Sequence, residues 1–228
     1  MFPEPLRPDA DGLVFVGGDF SCATLVEAYA RGIFPWRGGD PIPWYCPARR
    51  AIVRPGTLRI ARSLAKRART AGFAVAFDRD FRGVMERCAT TPRRDGHATW
   101  ITPDMIDGYC ALHAEGIAHS VEVLLGDEPV GGLYGLAFGR CFHGESMYHR
   151  ARDASKLALW ALDAALVAHD FTLLDCQVPT RHLCSLGAVV WPRHEYLDHL
   201  AANADAPSLH GSWRSWSVAC LPPWTPPW

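Results

Sequence analysis

The sequence predicts an α+β fold whose larger part contains a mixed sheet. Two strand-like segments, Ala118 to Leu125 and Pro129 to Phe138, flank a turn at Gly126 and therefore predict a hairpin. A helical segment that is apolar on nearly all sides follows at 153–168, and a short run typical of a buried strand begins at Phe171. Hairpin, helix and strand in this order favour an α+β or mixed-sheet domain in which this helix is buried.

The N-terminal segment predicts a small lobe. A short amphipathic helix from Thr24 to Arg31 is indicated, with Asp19 or Ser21 as its N-cap and Gly32 at its end. The next stretch, 33–50, is rich in Pro, Gly and aromatic residues, which predicts an ordered but irregular loop. Its large rings form either the core of a small lobe, which we favour, or the floor of a site. These rings belong to Phe34, Trp36, Trp44 and Tyr45.

Further elements follow from apolar periodicity. Pro103 occupies the first turn of one predicted helix, and Gly116 ends it. Glycines in the second strand of the hairpin weaken it, and they are acceptable where a ligand or another backbone comes close. The other predicted elements are helices at 60–69 and 81–88, a strand at 74–77, a short helix near 181–186, and a strand and helix within 189–200; the tail at 221–228 is expected to be loose.

Positive charge is concentrated in one segment, Arg49 to Arg94. It contains thirteen Lys or Arg residues and three acidic residues, whereas the rest of the chain has 10 basic and 21 acidic residues. Such a local excess predicts a surface for phosphate groups. The alternative is a solvated helix face, which usually mixes both signs. Because the net charge of the whole chain is -1, only a local polyanion-binding surface is possible.

Several classes of protein are excluded by absent signals. No apolar run reaches the length that crosses a membrane, and the first residues show no secretory signal. The eight cysteines are scattered without a CxxC pair or zinc-ligand spacing, so we expect no metal site and a reducing cytoplasmic location. A P-loop and a Gly-x-Ser-x-Gly motif are both absent. We expect no cofactor.

A carboxylate and an amide interrupt the apolar strand that begins at Phe171. Asp175 and Gln177 are two residues apart, so a regular strand would point both side chains to the same side. One interpretation is a structural carboxylate that backbone amides or a nearby Arg satisfies. The other is a polar pair at the mouth of a pocket, with Asp175 as general base and Gln177 as the group that orients it. The strand pattern alone does not decide between them.

A series of short motifs occurs in order along the chain, between about Asp11 and Leu200. They are FVGGDF, RGIFPW, TWIT, HSVEV, GGLYG, GESM, ASK, DCQ and SLGA. Together they resemble the leucyl/phenylalanyl-tRNA–protein transferase family. The resemblance implies transfer of Leu or Phe, sometimes Met, from aminoacyl-tRNA to an N-terminal Arg or Lys of an acceptor protein, which marks that protein for N-degron degradation. It also implies a small N-terminal lobe, 1–50, before a GNAT-like domain, 51–228.

The resemblance also implies roles for individual residues. Asp175 and Gln177 would act on the acceptor amine, and Glu145 would contact the aminoacyl-adenosine end. Trp36 and Trp100 would hold the terminal adenosine, since stacking one base on an aromatic ring contributes about 1–3 kcal/mol. The pocket for the amino-acid side chain would be formed by Leu133, Phe142, Leu159, Leu162 and Leu174, and the tRNA would be bound by Arg62, Lys66 and Arg67.

The positions of Leu174 and His149 lead to two further expectations, and two other functional classes stay open. Leu174 and Asp175 lie on opposite sides of a regular strand, so a bulge is needed if both face the site. His149, beside the GESM motif, is expected to be solvated or hydrogen-bonded rather than a catalyst. The rivals are an RNA-binding module without catalysis and an acyl-CoA-dependent acyltransferase, although the Gly-rich loop before a helix that suits the latter was not found. We expect a monomer that does not bind membranes.

Overall fold

The computed structural model describes residues 2–3, 6–36, 39–92, 99–204, 206 and 208–216. The described residues form seven helices and ten strands. In order they are β1 (Leu13–Val16), α1 (Cys22–Ala30), β2 (Phe34–Pro35), β3 (Pro43–Tyr45), β4 (Arg49–Val53), α2 (Arg62–Thr70), β5 (Phe73–Phe77), α3 (Phe81–Thr90), α4 (Pro103–Ala114), β6 (Ala118–Leu125), β7 (Glu128–Phe138), β8 (Cys141–His149), α5 (Ala154–Ala168), β9 (Leu173–Asp175), α6 (Arg181–Ser185), β10 (Val189–Pro192) and α7 (Arg193–Ala202).

Seven strands form one mixed sheet in the order β10-β4-β9-β8-β7-β6-β5. Neighbouring strands are antiparallel except β8 and β9, which are parallel and are connected through α5. Parallel neighbours need such a crossover because a tight turn can only reverse the chain. The predicted hairpin and the predicted buried helix are therefore confirmed, and the helix lies where the connection requires it.

The N-terminal part forms a second sheet, β1-β3-β2. The first helix begins where its N-cap allows, because the Ser21 side chain accepts a hydrogen bond from the amide of Thr24. Phe34 and Trp44 are fully buried in a core that this part shares with α3, α4 and one face of the large sheet. The interpretation of the aromatic cluster as a core is therefore confirmed for these two rings.

The opposite face of the large sheet is covered by α5. Glycines in β7 allow this close packing: a Cβ on Gly131 would lie 2.5 Å from the Cβ of Ala154, at the start of α5. A Cβ on Gly135 would collide with the Phe142 ring and the neighbouring strand β8. At these two glycines the close neighbour is the protein's own chain rather than a ligand.

A C-terminal segment, 208–216, folds back onto the large sheet. The amide of Trp213 donates a hydrogen bond to Asp78 Oδ2 at 2.7 Å, and Arg214 Nε donates to the carbonyl of Asp78 at 2.9 Å. The Trp213 ring stacks on His119 at 3.7 Å between ring centres and on Trp216 at 3.9 Å. This segment completes the core beneath α5. The predicted loose tail, 221–228, lies outside the described residues.

Outside these regions the predicted and observed elements agree with small shifts. Helix α4 and strand β6 occupy the segments predicted for them, and β5 is one residue longer. No element was predicted at the position of β8, which is a nine-residue strand. None of the helices in the described part of the chain combines the length and apolar character needed to cross a membrane.

Candidate active site

The large sheet opens between β8 and β9. The two strands pair only at Cys141–Leu173, Phe142–Leu174 and His143–Asp175. Strand β9 then ends, whereas β8 continues to His149. Beyond the last pair the strands are no longer joined, and a cavity of about 300 Å³ lies beside this opening.

The wall of this cavity is mainly apolar and contains most of the predicted binding residues. Leu133 comes from β7, Leu159 and Leu162 from α5, and Leu174 from β9. A volume near 300 Å³ lies at the small end of ligand pockets and suits a single amino-acid side chain. Glu145 and Trp100 also line it, together with Tyr134, Gly144, Ser146, Met147, Cys176, Thr180, His182 and Leu183.

Glu145 points into the cavity because of a β-bulge. In the pairing of β7 with β8, Tyr134 faces Ser146 and the next residue, Gly135, faces Gly144, so Glu145 is the extra residue. A bulge changes the direction in which side chains leave a strand. Glu145 Oε1 accepts hydrogen bonds from Tyr29 Oη and from Gln177 Nε2, each at 2.5 Å. Three separate segments of the chain therefore meet at this carboxyl group.

Burial raises the pKa of Glu145 to about 8. The negative charge of Asp175 acts in the same direction, while the Tyr29 hydroxyl, the Arg50 charge and the Gln177 amide partly oppose it. The side chain lies deep in the protein and keeps some exposure, which the cavity provides. Near neutral pH, Glu145 is therefore a group that can both hold and release a proton in an empty site.

Asp175 has a different environment. It is fully buried and accepts hydrogen bonds from Arg50 Nε at 2.8 Å, Arg50 Nη2 at 2.6 Å and Tyr196 Oη at 3.0 Å. His143 Nδ1 lies 3.1 Å from its Oδ2. Burial alone would raise the pKa of Asp175, but the charge of Arg50 and the bonds from His143 and Arg50 outweigh it and hold this pKa well below its usual range.

Alternation along β9 separates Leu174 from Asp175. Leu174 lines the cavity, and Asp175 points away from it towards Arg50. The bulge that a shared orientation requires is not present between β8 and β9, where the pairs from Leu173 to Asp175 are regular. The interpretation of Asp175 as a carboxylate paired with a nearby Arg therefore describes its contacts. A part for Asp175 in the reaction stays a prediction.

Gln177 lies beyond the end of β9, with a backbone φ of 60° in the left-handed region. Its amide donates to Asp175 Oδ1 at 2.8 Å, and its carbonyl accepts from the amide of Ala51 at 2.9 Å. The expectation that Asp175 and Gln177 point to the same side was wrong, because the strand ends before Gln177 and the backbone turns. The turn directs the side-chain amide of Gln177 towards Glu145.

Two predicted binding residues do not line the cavity. Phe142 is fully buried beside Trp213, with 5.6 Å between ring centres. It belongs to the core that also contains the leucines of the cavity wall. Trp36 is half-buried in the N-terminal part, where its ring contacts Phe34 and Tyr45. The predicted role of Trp36 with an adenosine remains a prediction. His149 is exposed at the end of β8.

The predicted tRNA-binding residues lie on α2. Leu64 and Ala65 anchor this helix in the core, and Arg62 and Lys66 are exposed. Arg67 is half-buried, with its guanidinium over the Phe73 ring at 5.8 Å. The helix thus presents positive charge to solvent at positions four residues apart. Arg93 and Arg94, which belong to the same basic segment, lie outside the described residues.

Comparison with known proteins identifies the family. A model described as the leucyl/phenylalanyl-tRNA protein transferase N-terminal domain matches residues 18–48. The model described as leucyl/phenylalanyl-tRNA protein transferase matches residues 52–201. The chain belongs to this family. The resemblance drawn from the short motifs is confirmed, whereas the predicted division after Arg50 stays a prediction, since Arg50 lies within β4.

The relatives are similar over nearly the whole chain. The leucyl/phenylalanyl-tRNA–protein transferase of Solidesulfovibrio magneticus is 47% identical over 214 residues, which cover 93% of this chain and 87% of that protein. The protein of the same name from Pseudomonas entomophila is 50% identical over 206 residues, 90% of this chain and 91% of that protein. This membership favours a transferase over the two rival classes.

One solved structure adds information on the fold. The crystal structure of FemX matches with a TM-score of 0.50 and 11% identity, over 75% of this chain and 66% of that chain. Identity this low indicates a shared fold alone. The predicted α+β class, with a mixed sheet and a small N-terminal part, is confirmed by this match and by the strand order.

The sequence reasoning missed the residues that surround Glu145 and Asp175. Tyr29 and Tyr109 are buried residues of α1 and α4, and their hydroxyls meet at 2.5 Å beside Glu145. Arg50 was counted only as part of the basic segment. Tyr196 and His143 gave no signal. Tyr29 and Tyr109 could have been recognised from one local sign, a phenol on an otherwise apolar helix face, because a buried hydroxyl needs a hydrogen-bond partner.

Proposed function

We propose that this protein transfers leucine or phenylalanine from aminoacyl-tRNA to the α-amine of an acceptor protein that begins with Arg or Lys. The observation that carries this proposal is the small apolar cavity, closed at one end by Leu133, Leu159, Leu162 and Leu174. Its polar side holds Glu145, which Gln177 contacts. An aminoacyl group bound with its side chain among the leucines would bring its ester carbonyl to this polar side.

The remaining predicted residues contact the RNA and the acceptor. Trp36 and Trp100 hold the 3′-terminal adenosine, and Asp175 and Gln177 act on the acceptor amine. Arg62, Lys66 and Arg67 contact the phosphates of the tRNA, whose charge the basic segment complements. Arg62 and Lys66 support this assignment because both are exposed on one helix. The acceptor, once extended by Leu or Phe, enters the N-degron pathway.

The protein is proposed to act as a monomer in the cytoplasm, where charged tRNA is available. In the described part of the chain the exposed large apolar side chains are scattered on four different elements, which supports a monomer. They are Val16, Leu125, Val167 and Val189. The seven described cysteines are free thiols, as expected in a reducing compartment. Light scattering of the purified chain tests the oligomeric state.

A transfer assay tests the function directly. The protein is mixed with tRNA charged with Leu or Phe and with a peptide that begins with Arg, and the peptide mass is measured. We expect the mass to rise by one Leu or Phe residue, and we expect no change for the same peptide with an acetylated N-terminus. An RNA-binding module would bind the charged tRNA without changing the peptide, and an acyl-CoA-dependent enzyme would require acyl-CoA.

A further inference from the structure

The hydrogen bonds of Asp175 leave this carboxylate little capacity to take a proton from a substrate. An ionised carboxylate offers about four lone-pair sites. Asp175 already accepts four hydrogen bonds: two from Arg50, one from Tyr196 and one from the backbone amide of Gln177. In addition, His143 Nδ1 lies 3.1 Å from its Oδ2. The side chain is also fully buried and faces away from the cavity. Proton transfer to Asp175 would therefore require this network to open.

Glu145 satisfies the requirements that Asp175 does not meet. Glu145 lines the cavity, and its Oε1 lies 2.5 Å from the side-chain nitrogen Nε2 of Gln177. Its hydrogen bonds from Tyr29 and Gln177 both end on Oε1. A substrate bound in the cavity can therefore reach this carboxyl group.

The connection between the two carboxyl groups runs through Gln177. Asp175 Oδ1 accepts a hydrogen bond from the backbone N–H of Gln177, two residues ahead, which is the arrangement of an Asx-turn. This bond helps to hold Gln177 in its left-handed conformation, which non-glycine residues keep only when their surroundings enforce it. Removing the charge of Asp175 would loosen Gln177 and, with it, the position of Glu145.

We propose, on the basis of the transfer reaction above, that Glu145 takes the proton from the acceptor amine and that Asp175 is a positioning residue that acts through Gln177. Asp175 then acts on the acceptor amine without touching it. The three polar residues form a chain from a fixed ion pair to a group that exchanges protons.

The step balances without a cofactor. The neutral amine nitrogen attacks the ester carbonyl carbon, a C–N bond forms, and the carbonyl electron pair moves to its oxygen. The proton on nitrogen passes to the Glu145 carboxylate. The intermediate then collapses, the bond between the carbonyl carbon and the 3′ oxygen of the tRNA breaks, and the proton moves from Glu145 to that oxygen. The products are an amide and a free 3′ hydroxyl, and Glu145 is again ionised.

The groups that face Glu145 are compatible with this exchange. Tyr29 on α1 donates to it, and Tyr109 on α4 contacts Tyr29. Burial, followed by the charge of Glu145, raises the pKa of both phenols well above the ordinary value, so both keep their protons. The negative charge of Asp175 raises the pKa of Glu145 and the positive charge of Arg50 lowers it.

Two histidines also lie near this group. His143, on the same strand, contacts Asp175 on the side away from the cavity, and His182, on α6, lines the cavity. His143 Nδ1 lies 3.1 Å from Asp175 Oδ2 and 3.4 Å from Tyr196 Oη. The comparison below therefore measures both variants over the whole pH range, so that a contribution from either histidine appears in wild type and variants alike.

The test compares Glu145→Gln with Asp175→Asn in single-turnover transfer at saturating charged tRNA and Arg-peptide. Glutamine resembles protonated Glu145, the main form at neutral pH, so we expect the variant to fold. The Glu145→Gln rate should fall by about 10²–10⁴-fold with charged-tRNA affinity changed by less than about threefold. Asp175→Asn should lower the rate at every pH, because it loosens Gln177 and with it Glu145.

The pH profile separates the two roles. Below about pH 7, wild-type transfer requires deprotonation of both the amine and Glu145, so the slope of log rate against pH approaches two. Glu145→Gln should have a slope near one, and Asp175→Asn should keep the wild-type slope. Because the pKa of Asp175 lies well below this range, a reaction with Asp175 as the base would give wild type a slope near one, and that result would overturn the inference.

Two other results would overturn the inference. One is a Glu145→Gln rate within about threefold of wild type at every pH. The other is a Glu145→Gln defect that saturating tRNA abolishes, which would make Glu145 a donor-binding group. Failure of the proposed function is a separate result, because wild-type protein would then give no transfer at all.

Discussion

Arg50 donates two hydrogen bonds to Asp175, from Nε to Oδ1 at 2.8 Å and from Nη2 to Oδ2 at 2.6 Å. The third nitrogen, Nη1, donates to the carbonyl of Gly32 at 3.1 Å. Both side chains are almost completely inaccessible to water. One buried ion pair therefore joins the end of α1 to the strand end beside the cavity.

Replacing Arg50 by Met should reduce the free energy of unfolding by about 3–5 kcal/mol, because it leaves the Asp175 carboxylate buried without its counter-charge. Urea denaturation at neutral pH measures the loss. The double variant with Asp175→Asn should recover a large part of it, since no buried charge then remains. A double variant as unstable as Arg50→Met would show that lost packing, rather than the uncompensated charge, causes the effect.

Glu145→Gln should stabilise the protein at alkaline pH. Folded Glu145, with a pKa raised to about 8, keeps its proton after the unfolded residue, with an ordinary pKa of 4.5, has lost it. The unfolded state then binds fewer protons, so wild-type stability falls as pH rises between these two values. Each unit corresponds to about 1.4 kcal/mol, which gives a total on the order of a few kcal/mol.

Urea denaturation at about pH 5 and about pH 9 measures this dependence. The stability of Glu145→Gln relative to wild type should rise between the two pH values. Glu128→Gln, at the exposed first position of β7, is the matched control and should show no such change. Parallel curves for wild type and Glu145→Gln would contradict a raised pKa for Glu145.

The affinity for charged tRNA should fall steeply with salt, and Arg62→Ala with Lys66→Ala should reduce that slope. Each lost contact with a phosphate removes about 0.9 from the slope of log K against log salt concentration in a duplex. Binding is measured at several salt concentrations. Arg7→Ala, an exposed residue outside the basic segment, is the control. A double variant with the wild-type slope would place the tRNA elsewhere.

The cavity should discriminate donors by volume. Leu162→Ala enlarges it and should shift the ratio of Phe transfer to Leu transfer towards Phe by about tenfold, because apolar pockets discriminate by about 1–3 kcal/mol. Leu166→Ala, on the same helix, is the matched control: Leu166 is fully buried and is not part of the cavity wall. Both variants should lose stability, by about 2–5 kcal/mol. An equal ratio in both variants would exclude Leu162 from the donor pocket.

Local patterns in the sequence were sufficient for the elements that surround the site. Apolar periodicity placed α5, and turn residues placed the hairpin of β6 and β7, because each signal comes from neighbours in the chain. The same patterns missed β8, in which His143 and Glu145 interrupt the apolar residues. The four leucines that the family resemblance assigns to the donor pocket all line the cavity, and their contact with the donor side chain stays a prediction.

The orientation of the polar residues depends on contacts that no local pattern contains. Arg50 and Asp175 are separated by 125 positions, and Tyr29 and Glu145 by 116. The bulge at Glu145 depends on how β7 pairs with β8, and the turn at Gln177 depends on Asp175 and Ala51. Alternation along a strand therefore predicted the side for Leu174 correctly and failed two residues after Asp175, where the strand had ended.

The return of the C-terminal segment to Asp78 has a consequence for synthesis. The Asp78 carboxylate and the Trp213 amide that it binds are separated by 135 positions. At roughly 5–20 residues per second, a ribosome makes Trp213 on the order of ten seconds after Asp78. Strands β6 to β10 and helix α5 are synthesised during that interval, and the indole that fills their core follows after them. Folding of this core is consequently completed only after most of the chain has been translated.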